Sequence, residues 1–503
     1  MLTSTDILKL QNGSDVRGIA INGVEGEQVN LTTEAVNRIS SGFVKFLSDK
    51  LGKPSDELKI AVGHDSRISA PQLKEAAFKA LVANGVTVLD CGLASTPAMF
   101  MSIIFDETKV DGSIMLTASH LPFNRNGMKF FTKDGGLEKS DIKNVLQFAT
   151  DFQELNADIN SVAKFDLISL YSHHLCKIIR KALNVLADNK PLEGMHIVVD
   201  AGNGAGGFFV SKVLEPLGAN ISGSQFLNPD GHFPNHIPNP ENEAAMAAIK
   251  KAVLDNKADL GLIFDTDVDR MSAVLGNGEE INRNALIAMM SAILAPDYPN
   301  STIVTDSVTS DELTVFLEDN LKLKHHRFKR GYKNVINECI RLNKSGVVSP
   351  LAIETSGHGA LSENYYLDDG AYLAVKLLIA ASKAHKEGKN LADLIGNLHY
   401  PAESKEYRLK IVDCDDFQSY GTKVIEAFKT RAIERDIKLA DPNFEGIRLN
   451  FGNGWALLRM SLHDPVMPLN VESNEIGGCK KIIDTVKSLI NDFDKLDFSI
   501  LGK

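Results

Sequence analysis

The chain repeats one pattern three times: a strand, a polar loop that carries an aspartate, and a helix. The first strands are predicted at residues 58–62, 196–199 and 302–304, and the loops after them contain Asp65, Asp200 and Asp306. The predicted helices cover residues 72–83, 208–217 and 312–321, and further strands close the first two units at residues 86–89 and 220–223. Alternating strands and helices are typical of parallel α/β sheets. The repeat therefore predicts three α/β domains in a row.

The C-terminal part of the chain follows a different pattern. Short strands are predicted at residues 448–450, 455–460 and 469–472, followed by a helix over 479–493 with apolar residues at helical spacing. Strands grouped before one helix favour an α+β domain with an antiparallel sheet. A linker is predicted at 397–404, which contains Pro401. The predicted domains are residues 1–160, 161–277, 278–398 and 399–503.

The net charge and the hydropathy of the sequence exclude several classes of partner. The formal net charge of the 503-residue chain is −11, which argues against a general nucleic-acid surface. A phosphate ester would need a local cluster of cations on this acidic protein. No apolar run approaches the roughly 18–20 residues that span a bilayer, so we expect no membrane association. The N-terminal residues lack a basic region followed by an apolar core, so we expect no signal peptide.

The five cysteines are scattered and form no CxxC pair. Their number and spacing fit reduced thiols rather than a disulfide or zinc framework. We therefore expect a cytoplasmic protein, with a plastid location not excluded.

The stretch 112–129 carries the strongest candidate nucleophile. An apolar strand at 113–116 is followed by Thr117-Ala118-Ser119-His120 and by a polar turn that ends at Lys129. A hydroxyl at the carboxyl end of a strand, beside a histidine and near a lysine, is typical of a nucleophile site. A strand followed by a serine-capped helix would give the same local pattern.

A strand at 261–264 leads directly into Asp265-Thr266-Asp267-Val268-Asp269-Arg270. Three carboxylates this close repel one another by about 1 kcal/mol per pair even in water, and a divalent cation such as Mg²⁺ removes that cost. An EF-hand loop needs glycine at its sixth position and glutamate at its twelfth, where this chain has Arg270 and Gly276. A solvated acidic turn remains the alternative to a metal site.

Two further stretches carry candidate binding residues. Glu354, Ser356 and His358 alternate after an apolar segment, which suits contacts with sugar hydroxyls, although a polar turn fits equally well. Arg459 lies where a predicted strand gives way to a serine-containing loop. This position fits a phosphate clamp, and an ordinary surface arginine would look the same. The basic stretch 325–333 is too short for nucleic acid but could supply charge near a phosphate.

Residues 202–207, GNGAGG, satisfy the GxGxxG pattern after a strand. A dinucleotide site also needs an acidic residue about 20 positions on, at the end of the next strand. The segment there is SGSQFLN, with no acidic residue before Asp230. We interpret these glycines as a tight strand-to-helix turn, with a nucleotide-dependent oxidoreductase as the alternative.

Taken in order, these motifs resemble those of the α-D-phosphohexomutase family, the phosphoglucomutases and phosphomannomutases. TASHLP resembles the family's phosphoserine loop, DTDVDR its metal loop, usually DGDxDR, and ETSGH its sugar-binding loop. RMSLHDP lies where the family has its phosphate-binding loop, and residues 12–18 and 63–67 resemble its first two loops. The resemblance implies three similar α/β domains and a smaller fourth one, with the active site in the central cleft.

The resemblance also implies a mechanism. Ser119, as a phosphoserine, would phosphorylate a hexose 1-phosphate to a 1,6-bisphosphate and then recover the other phosphate. Mg²⁺ would be held by Asp265, Asp267, Asp269 and a phosphoserine oxygen. Lys129 would act as general acid/base, with His120 beside it. The pKa of Lys129 would be lowered by neighbours, and the substrate-binding residues Arg17 and Arg270 would have that effect.

The same resemblance assigns the remaining substrate contacts. Glu354 and Ser356 would hold sugar hydroxyls, with His358 and Lys333 nearby. The non-reacting phosphate would be held by Arg459 and Ser461. The expected partner is a small phosphosugar, with glucose 1,6-bisphosphate as activator and intermediate. The oligomeric state, monomer or dimer, is left open.

Two departures from the family pattern affect the expected substrate. Thr266 replaces the usual glycine of the metal loop, and Leu462-His463-Asp464 replace the small or hydroxyl residues of the phosphate loop. Asp464 would repel a phosphate if it faced inward. Glucose or mannose phosphate is the expected substrate. The alternatives are a hexose 1,6-bisphosphate synthase, a phosphoglucosamine mutase and a non-catalytic family member.

Overall fold

The computed structural model describes residues 2–186, 188–461 and 464–502. The chain forms two compact units. The first combines Met1–Leu286 with Ser356–Leu394, and the second combines Ile287–Thr355 with Ile395–Lys503. Within the described residues, no helix is both long enough and apolar enough to cross a membrane.

The N-terminal region of the first unit contains a mixed sheet with the strand order β1-β2-β6-β5-β3-β4-β8, and β7 pairs with β6. The strands are β1 Gln11–Asn12, β2 Asp15–Ile19, β3 Lys59–His64, β4 Thr87–Leu93, β5 Gly112–Leu116, β6 Arg125–Thr132, β7 Gly135–Gly136 and β8 Ala163–Lys164. The helices are α1 Ser4–Leu8, α2 Thr33–Leu51, α3 Ala70–Ala83, α4 Thr96–Ile104, α5 Lys139–Asp151 and α6 Leu167–Ala182.

Only part of this sheet is parallel. Strand β3 pairs in parallel with β4 and β5, and β4 pairs in parallel with β8. Strands β6, β2 and β1 extend the sheet in antiparallel pairs. All five residues of β5 are buried, as its continuous apolar sequence predicts. The segment 126–129, predicted as a polar turn, instead belongs to β6.

The next sheet of the first unit has the order β12-β11-β10-β9. Its strands are β9 Ile197–Asp200, β10 Leu260–Phe264, β11 Met271–Leu275 and β12 Glu280–Ile281, with helix α7 Glu243–Asn256 between β9 and β10. Only β9 and β10 are parallel, because residues 265–270 turn the chain back so that Phe264 pairs with Met271. Both sheets therefore contain the parallel strands predicted from the repeat and further antiparallel strands beside them.

Two predictions within this region are corrected. The helix predicted at 208–217 consists of a π-helical segment, Phe209–Leu214, and a 3₁₀ turn, Glu215–Leu217. The strand predicted at 220–223 is not formed, and among the described residues this segment pairs only through an isolated bridge between His196 and Asn220. Gly218, shortly before this segment, and Gly223, its last residue, have φ of 90° and 88°, which interrupts extended backbone.

The second unit begins within helix α8, Arg283–Leu294, and contains three parallel strands in the order β14-β13-β15. These strands are β13 Thr302–Thr305, β14 Lys324–Arg327 and β15 Leu351–Ile353. Helix α9 covers Asp311–Val315 and continues as a π-helical segment, Phe316–Asn320, and α10 covers Tyr332–Lys344. The basic stretch 325–333 is thus divided between β14, a loop and the start of α10.

The chain then returns to the first unit as an antiparallel hairpin of β16, Gly359–Leu361, and β17, Leu367–Asp368. Helix α11, Gly370–Lys386, follows directly. Asp369 is its N-cap and accepts a hydrogen bond from the Tyr372 backbone N–H at 2.8 Å.

The C-terminal part of the second unit is an antiparallel sheet in the order β19-β20-β21-β22-β18-β23. The strands are β18 Glu403–Ile411, β19 Lys438–Leu439, β20 Ile447–Asn450, β21 Gly454–Leu458, β22 Val466–Ser473 and β23 Leu496–Asp497, and the helices are α12 Phe417–Glu434 and α13 Gly478–Ile490. The predicted α+β domain is confirmed, although the sequence analysis missed β18 and α12. Trp455 of β21 lies under Arg448 of β20, 3.6 Å from ring centroid to guanidinium carbon.

Candidate active site

Ser119 lies in the loop between β5 and β6, so the alternative of a serine-capped helix is wrong. The residue is buried and has a φ of +51°, in the left-handed region that non-glycine residues rarely occupy. Its backbone N–H donates to Thr117 Oγ1 at 2.9 Å, and its Oγ donates to Asp265 Oδ2 at 2.9 Å. The Nδ1 atom of His120 lies 3.3 Å from the same Oγ. The backbone therefore turns the hydroxyl towards the acidic loop.

The Ser119 loop is held by hydrogen bonds from Arg67, whose side chain is completely buried. Its guanidinium donates to the carbonyl oxygens of Ser119, Leu121 and Pro122 in this loop and to that of Arg125, the first residue of β6. Asp65 pairs with Arg67 and accepts a 2.6 Å hydrogen bond from Thr117 Oγ1. Arg67 was not among the predicted site residues, although residues 63–67, which contain it, resemble a loop of the family.

Strands β2 and β6 bring two more candidate residues to this loop. Arg17 of β2 donates to the Ala118 carbonyl at 3.0 Å. Lys129 lies on β6, opposite Met115 of β5. A Cβ atom at Gly127 would lie 2.3 Å from the Val16 carbonyl oxygen, so only glycine permits this close pairing of β2 with β6.

Asp265, Asp267 and Asp269 lie in the loop between β10 and β11, and all three are buried. One carboxylate oxygen from each lies within 4.8 Å of the others, so these residues could hold a metal ion. Burial and the other two carboxylates raise the pKa of Asp265 well above its ordinary value. The solvated acidic turn is therefore wrong, because the loop is buried.

Lys129 provides the positive charge nearest to two of these aspartates. Its Nζ donates to Asp267 Oδ2 at 2.9 Å and also to Asp269. Although burial acts to raise it, the pKa of Asp269 is held below its ordinary value by Lys129 and His358. Arg17 and Arg270 were predicted to lower the pKa of Lys129. In the structure, the carboxylates of Asp267 and Asp269 contact its Nζ.

The GNGAGG segment packs against the metal loop. The Ala205 N–H donates to the Thr266 carbonyl at 2.8 Å, and a Cβ atom at Gly204 would lie 2.7 Å from Thr266 Cα. Thr266 itself is buried. These contacts agree with a tight turn whose glycines allow two loops to approach each other closely.

His120, Arg270 and His358 surround the same region. Burial lowers the pKa of His120 to about 2, and the nearby guanidinium groups of Arg270 and Arg17 act in the same direction. The backbones of Arg270 and His358 form an antiparallel bridge. Burial acts to lower the pKa of His358, but the charge of Asp368 acts against it, and the pKa lies above its ordinary value. Ser356 is also buried, and its Oγ has no hydrogen-bond partner among the described residues.

The second unit contains the other candidate substrate-binding residues. Glu354 follows β15, and its Oε1 accepts a 2.6 Å hydrogen bond from the Gly331 N–H. Lys333 lies two residues after Gly331, in the first turn of α10. The next residue after Glu354, Thr355, donates from Oγ1 to Asp306 Oδ2 at 2.7 Å.

Arg459 and Ser461 follow β21 in the same unit. Arg459 is mostly buried, and its Nη1 lies 3.9 Å from Glu445 Oε1. The Ser461 N–H donates to the Val466 carbonyl at 2.9 Å. Asp464 is exposed, and its carboxylate faces Arg408 at 3.8 Å. Leu462 and His463 lie outside the described residues.

A cavity of about 480 Å³ lies beside this loop, with Lys329, Arg330, Glu445 and Met460 among its lining residues. The sequence analysis noted Lys329 and Arg330 only as part of a basic stretch. Arg330 donates its backbone N–H to Glu445 at 3.1 Å.

The predicted site residues are divided between the two units. The first unit brings together Ser119, the three aspartates and the basic residues around them, namely His120, Lys129, Arg17, Arg270 and His358, and it also contains Ser356. The second unit contains Glu354, Lys333, Arg459 and Ser461. No sequence signal marked the division that falls between Thr355 and Ser356.

The fold and the buried serine beside three aspartates define a family of enzymes. The three α/β/α domain models of the phosphoglucomutase/phosphomannomutase family match residues 8–154, 170–278 and 282–400. The chain therefore belongs to this family, and it is an isomerase of the phosphohexomutase type. The predicted family and fold class are confirmed.

Individual relatives span nearly the whole chain. A phosphomannomutase/phosphoglucomutase from Pseudomonas putida is 28% identical over 436 residues, which cover 86% of this chain and 87% of the relative. A probable phosphoglucosamine mutase from Methanocella arvoryzae is 29% identical over 459 residues, covering 90% and 95% of the two chains. The crystal structure of a phosphoglucomutase/phosphomannomutase family protein from Burkholderia thailandensis has the same fold, with a TM-score of 0.78, 24% identity and coverage of 99% and 100%.

Proposed function

We propose that this protein interconverts hexose 1-phosphates and hexose 6-phosphates through a phosphoserine at Ser119. The observation that carries the proposal is the 2.9 Å hydrogen bond from Ser119 Oγ to Asp265 Oδ2, at the edge of the three-aspartate cluster. A nucleophilic oxygen beside clustered carboxylates suits phosphoryl transfer, in which catalysis depends on positioning and on neutralising charge. The left-handed backbone at Ser119 and the buried Arg67 keep that oxygen in place.

Mg²⁺ fits the acidic cluster. Hard oxygen ligands are those that Mg²⁺ prefers, and the Oδ1 atoms of Asp267 and Asp269 are buried without a hydrogen-bond partner among the described residues. Asp265, Asp267, Asp269 and an oxygen of phosphorylated Ser119 would hold the ion. Bound there, Mg²⁺ would stabilise negative charge on the transferring phosphoryl group.

Each half of the reaction exchanges one P–O bond for another. A sugar hydroxyl attacks the phosphorus of phosphoserine, a bond forms between that oxygen and phosphorus, and the bond from phosphorus to Ser119 Oγ breaks. Lys129 would supply the proton that Oγ gains, and the hydroxyl proton passes to a base in the same site. The 1,6-bisphosphate then returns its other phosphoryl group to Ser119 by the reverse exchange.

The proposed substrate contacts are those that the resemblance assigns. Glu354 and Ser356 hold sugar hydroxyls, Arg459 and Ser461 hold the non-reacting phosphate, and Arg17, Arg270, Lys333 and His358 complete the set. The buried Ser356 Oγ without a partner and the mostly buried Arg459 support these roles. Glucose and mannose phosphates are the proposed substrates. The probable phosphoglucosamine mutase among the relatives makes glucosamine phosphate the third sugar to test.

We also infer a reducing compartment, such as the cytoplasm. All five cysteines are free thiols in the structure. Burial raises the pKa of the Cys91 thiol to about 12 and that of Cys339 to about 11, which keeps them protonated and unreactive at neutral pH.

A coupled mutase assay with Mg²⁺ and a trace of glucose 1,6-bisphosphate tests the proposal. The substrates are glucose 1-phosphate, mannose 1-phosphate and glucosamine 1-phosphate, and Ser119→Ala is the control. We expect turnover of at least one sugar, its loss in the control, and phosphate on Ser119 by mass spectrometry. Release of one equivalent of free 1,6-bisphosphate per phosphorylated enzyme, with no continued formation of hexose 6-phosphate, would show a bisphosphate synthase that needs a separate phosphoryl donor to turn over. No reaction with any sugar, together with an unphosphorylated Ser119, would overturn the proposal.

A second pair of variants tests the metal site and the general acid/base. Asp267→Asn is expected to weaken Mn²⁺ binding, which electron paramagnetic resonance measures without any turnover. Lys129→Met is expected to lower kcat while Ser119 remains intact. Full activity of Lys129→Met would remove the proton-transfer role from this residue.

A further inference from the structure

Two adjacent buried aspartates, Asp368 at the end of β17 and Asp369 at the N-cap of α11, contact different parts of the protein. Asp368 contacts His358 Nδ1 and accepts a 3.0 Å hydrogen bond from the Gly359 N–H. Asp369 accepts hydrogen bonds from the Tyr171 hydroxyl at 2.7 Å and from Asn364 Nδ2 at 3.0 Å, besides capping α11. The first carboxylate therefore faces the candidate active site, and the second anchors a helix.

His358 is held between the carboxylate of Asp368 and that of the metal loop. Its Nδ1 lies 3.8 Å from Asp269 Oδ1, and Asp368 contacts the same nitrogen. Since Nδ1 faces carboxylates, Asp368 fixes both the rotation of the ring and the direction in which Nε2 projects. Because His358 lies beside Asp269 of the metal loop, it is close to the residues around Ser119, where the phosphoryl group would be transferred. This region is the reacting end of the site.

The backbone makes this arrangement rigid. The Met271 N–H donates to the Gly357 carbonyl at 3.3 Å, and the Gly370 N–H donates to the Val268 carbonyl at 3.1 Å. A Cβ atom at Gly370 would lie 2.6 Å from the Arg270 carbonyl oxygen, so glycine is needed for the hairpin to pack against the metal loop. The β16–β17 hairpin therefore keeps the ring of His358 in one orientation relative to the metal loop.

We propose that Asp368 is a positioning residue that orients the imidazole of His358 for phosphoryl transfer between Ser119 and the sugar. This inference rests on the proposed function and adds a residue to it. In this role Asp368 acts through its contact with His358. Outer carboxylate partners that orient a functional histidine at a metal site typically contribute about 10–100-fold to activity or metal affinity.

The test compares Asp368→Asn with Asp369→Asn in the full-length protein. Both variants replace one buried aspartate with its amide, so the two changes are chemically identical and adjacent. For Asp368→Asn we expect kcat to fall by about 10–100-fold with KM within about twofold of wild type, because the ring is misdirected at the reacting end. For Asp369→Asn we expect a lower melting temperature and a kcat within about threefold of wild type.

A double-mutant cycle separates positioning from general damage to the fold. If Asp368 acts through His358, adding Asp368→Asn to His358→Gln should change kcat by less than about twofold. Mn²⁺ affinity is expected to be the same in Asp368→Asn and in wild type, which excludes an effect through the metal loop. The melting temperature of each variant shows whether it is folded.

The outcomes distinguish this inference from the proposed function. An inactive wild type would overturn the proposed function and this inference with it. With an active wild type, an unchanged kcat in Asp368→Asn, or a further tenfold loss in the double variant, would overturn the positioning role alone. A parallel loss of kcat and stability in both aspartate variants would also overturn it.

Discussion

Arg67 donates a hydrogen bond to the carbonyl oxygen of Ser119 from a side chain that solvent does not reach. The proposed nucleophile is thus held through its backbone by a guanidinium that also contacts two further carbonyls of the loop and that of the first residue of β6. Planar guanidinium has five donors in a fixed arrangement, which lysine does not reproduce. The shape of the phosphoserine loop therefore depends on one buried arginine.

Arg67→Lys is expected to destabilise the protein by about 2–4 kcal/mol, because buried carbonyl oxygens lose their donors. The rate at which glucose 1,6-bisphosphate phosphorylates Ser119 should fall at least tenfold. Urea denaturation and quantitative mass spectrometry measure the two effects. Arg125→Lys is the matched control, since Arg125 pairs with Glu27 near the surface and its replacement should cost under about 1 kcal/mol. Equal effects in the two variants would contradict the prediction.

Ser119→Gly is expected to be more stable than Ser119→Ala by about 1 kcal/mol. Both variants lose the hydroxyl, but alanine keeps a Cβ that is unfavourable at a φ of +51°. Chemical denaturation of the two variants measures the difference. At Ser40, in the middle of α2, the order should reverse, because glycine costs about 1 kcal/mol relative to alanine inside a helix. The same order at both sites would rule out the backbone explanation.

Gly204→Ala is expected to lower stability by about 1–3 kcal/mol and to weaken Mn²⁺ binding, because the new Cβ would lie 2.7 Å from Thr266 in the metal loop. Gly206→Ala tests the same segment with a milder contact, since its nearest atom, in Phe264, is 3.3 Å away. Denaturation and Mn²⁺ titration measure both variants. Similar metal affinity in Gly204→Ala and wild type would show that this glycine does not support the loop.

Stability is expected to fall as the pH rises above about 6.5, with His236 as one cause. Burial acts to lower the pKa of His236 in the folded protein, but the hydrogen bond and the charge of Asp200 raise it above its ordinary value. A raised folded-state pKa gives stabilisation that is complete below the unfolded-state pKa and is lost as the pH rises through the folded-state value.

Unfolding free energies at several pH values between 5.5 and 8.5 measure this dependence. His236→Gln should show a flatter profile, because glutamine does not titrate. His173→Gln, at an exposed position of α6, is the control for replacing a histidine with glutamine. A slope that His236→Gln does not alter would assign the pH dependence to other groups.

The sequence predicted the motif order and most buried strands, because continuous apolar runs such as β5 and β10 are strong local signals. It missed β18, in which most side chains are exposed or half-buried, so that no apolar pattern marks the strand. Asn126-Gly127 suggested a turn, whereas Gly127 is needed for close strand pairing that only the folded chain reveals. The predicted boundaries near residues 160, 277 and 398 stay predictions.

The candidate site was predictable to the extent that its chemistry lies in short motifs. Ser119, Lys129 and the three aspartates could be selected from local sequence because each follows or lies on a buried strand. Arg67 and Asp368 could not be assigned roles, since their functions consist of contacts with carbonyl oxygens and with an imidazole that only the tertiary structure forms. Residues that act by holding others leave little signal in a single sequence.

Trp455 is the only tryptophan of the chain, and it packs under Arg448 in the C-terminal sheet with its Nε1 donating to Glu472 Oε1 at 3.0 Å. Indole emission therefore reports on the second unit alone, whereas circular dichroism reports on all helices. A spectroscopist can follow the two signals in one denaturation experiment on the unmodified protein. Coincident transitions would mean that the two units unfold together, and separated transitions would mean that each unit has its own cooperative melting.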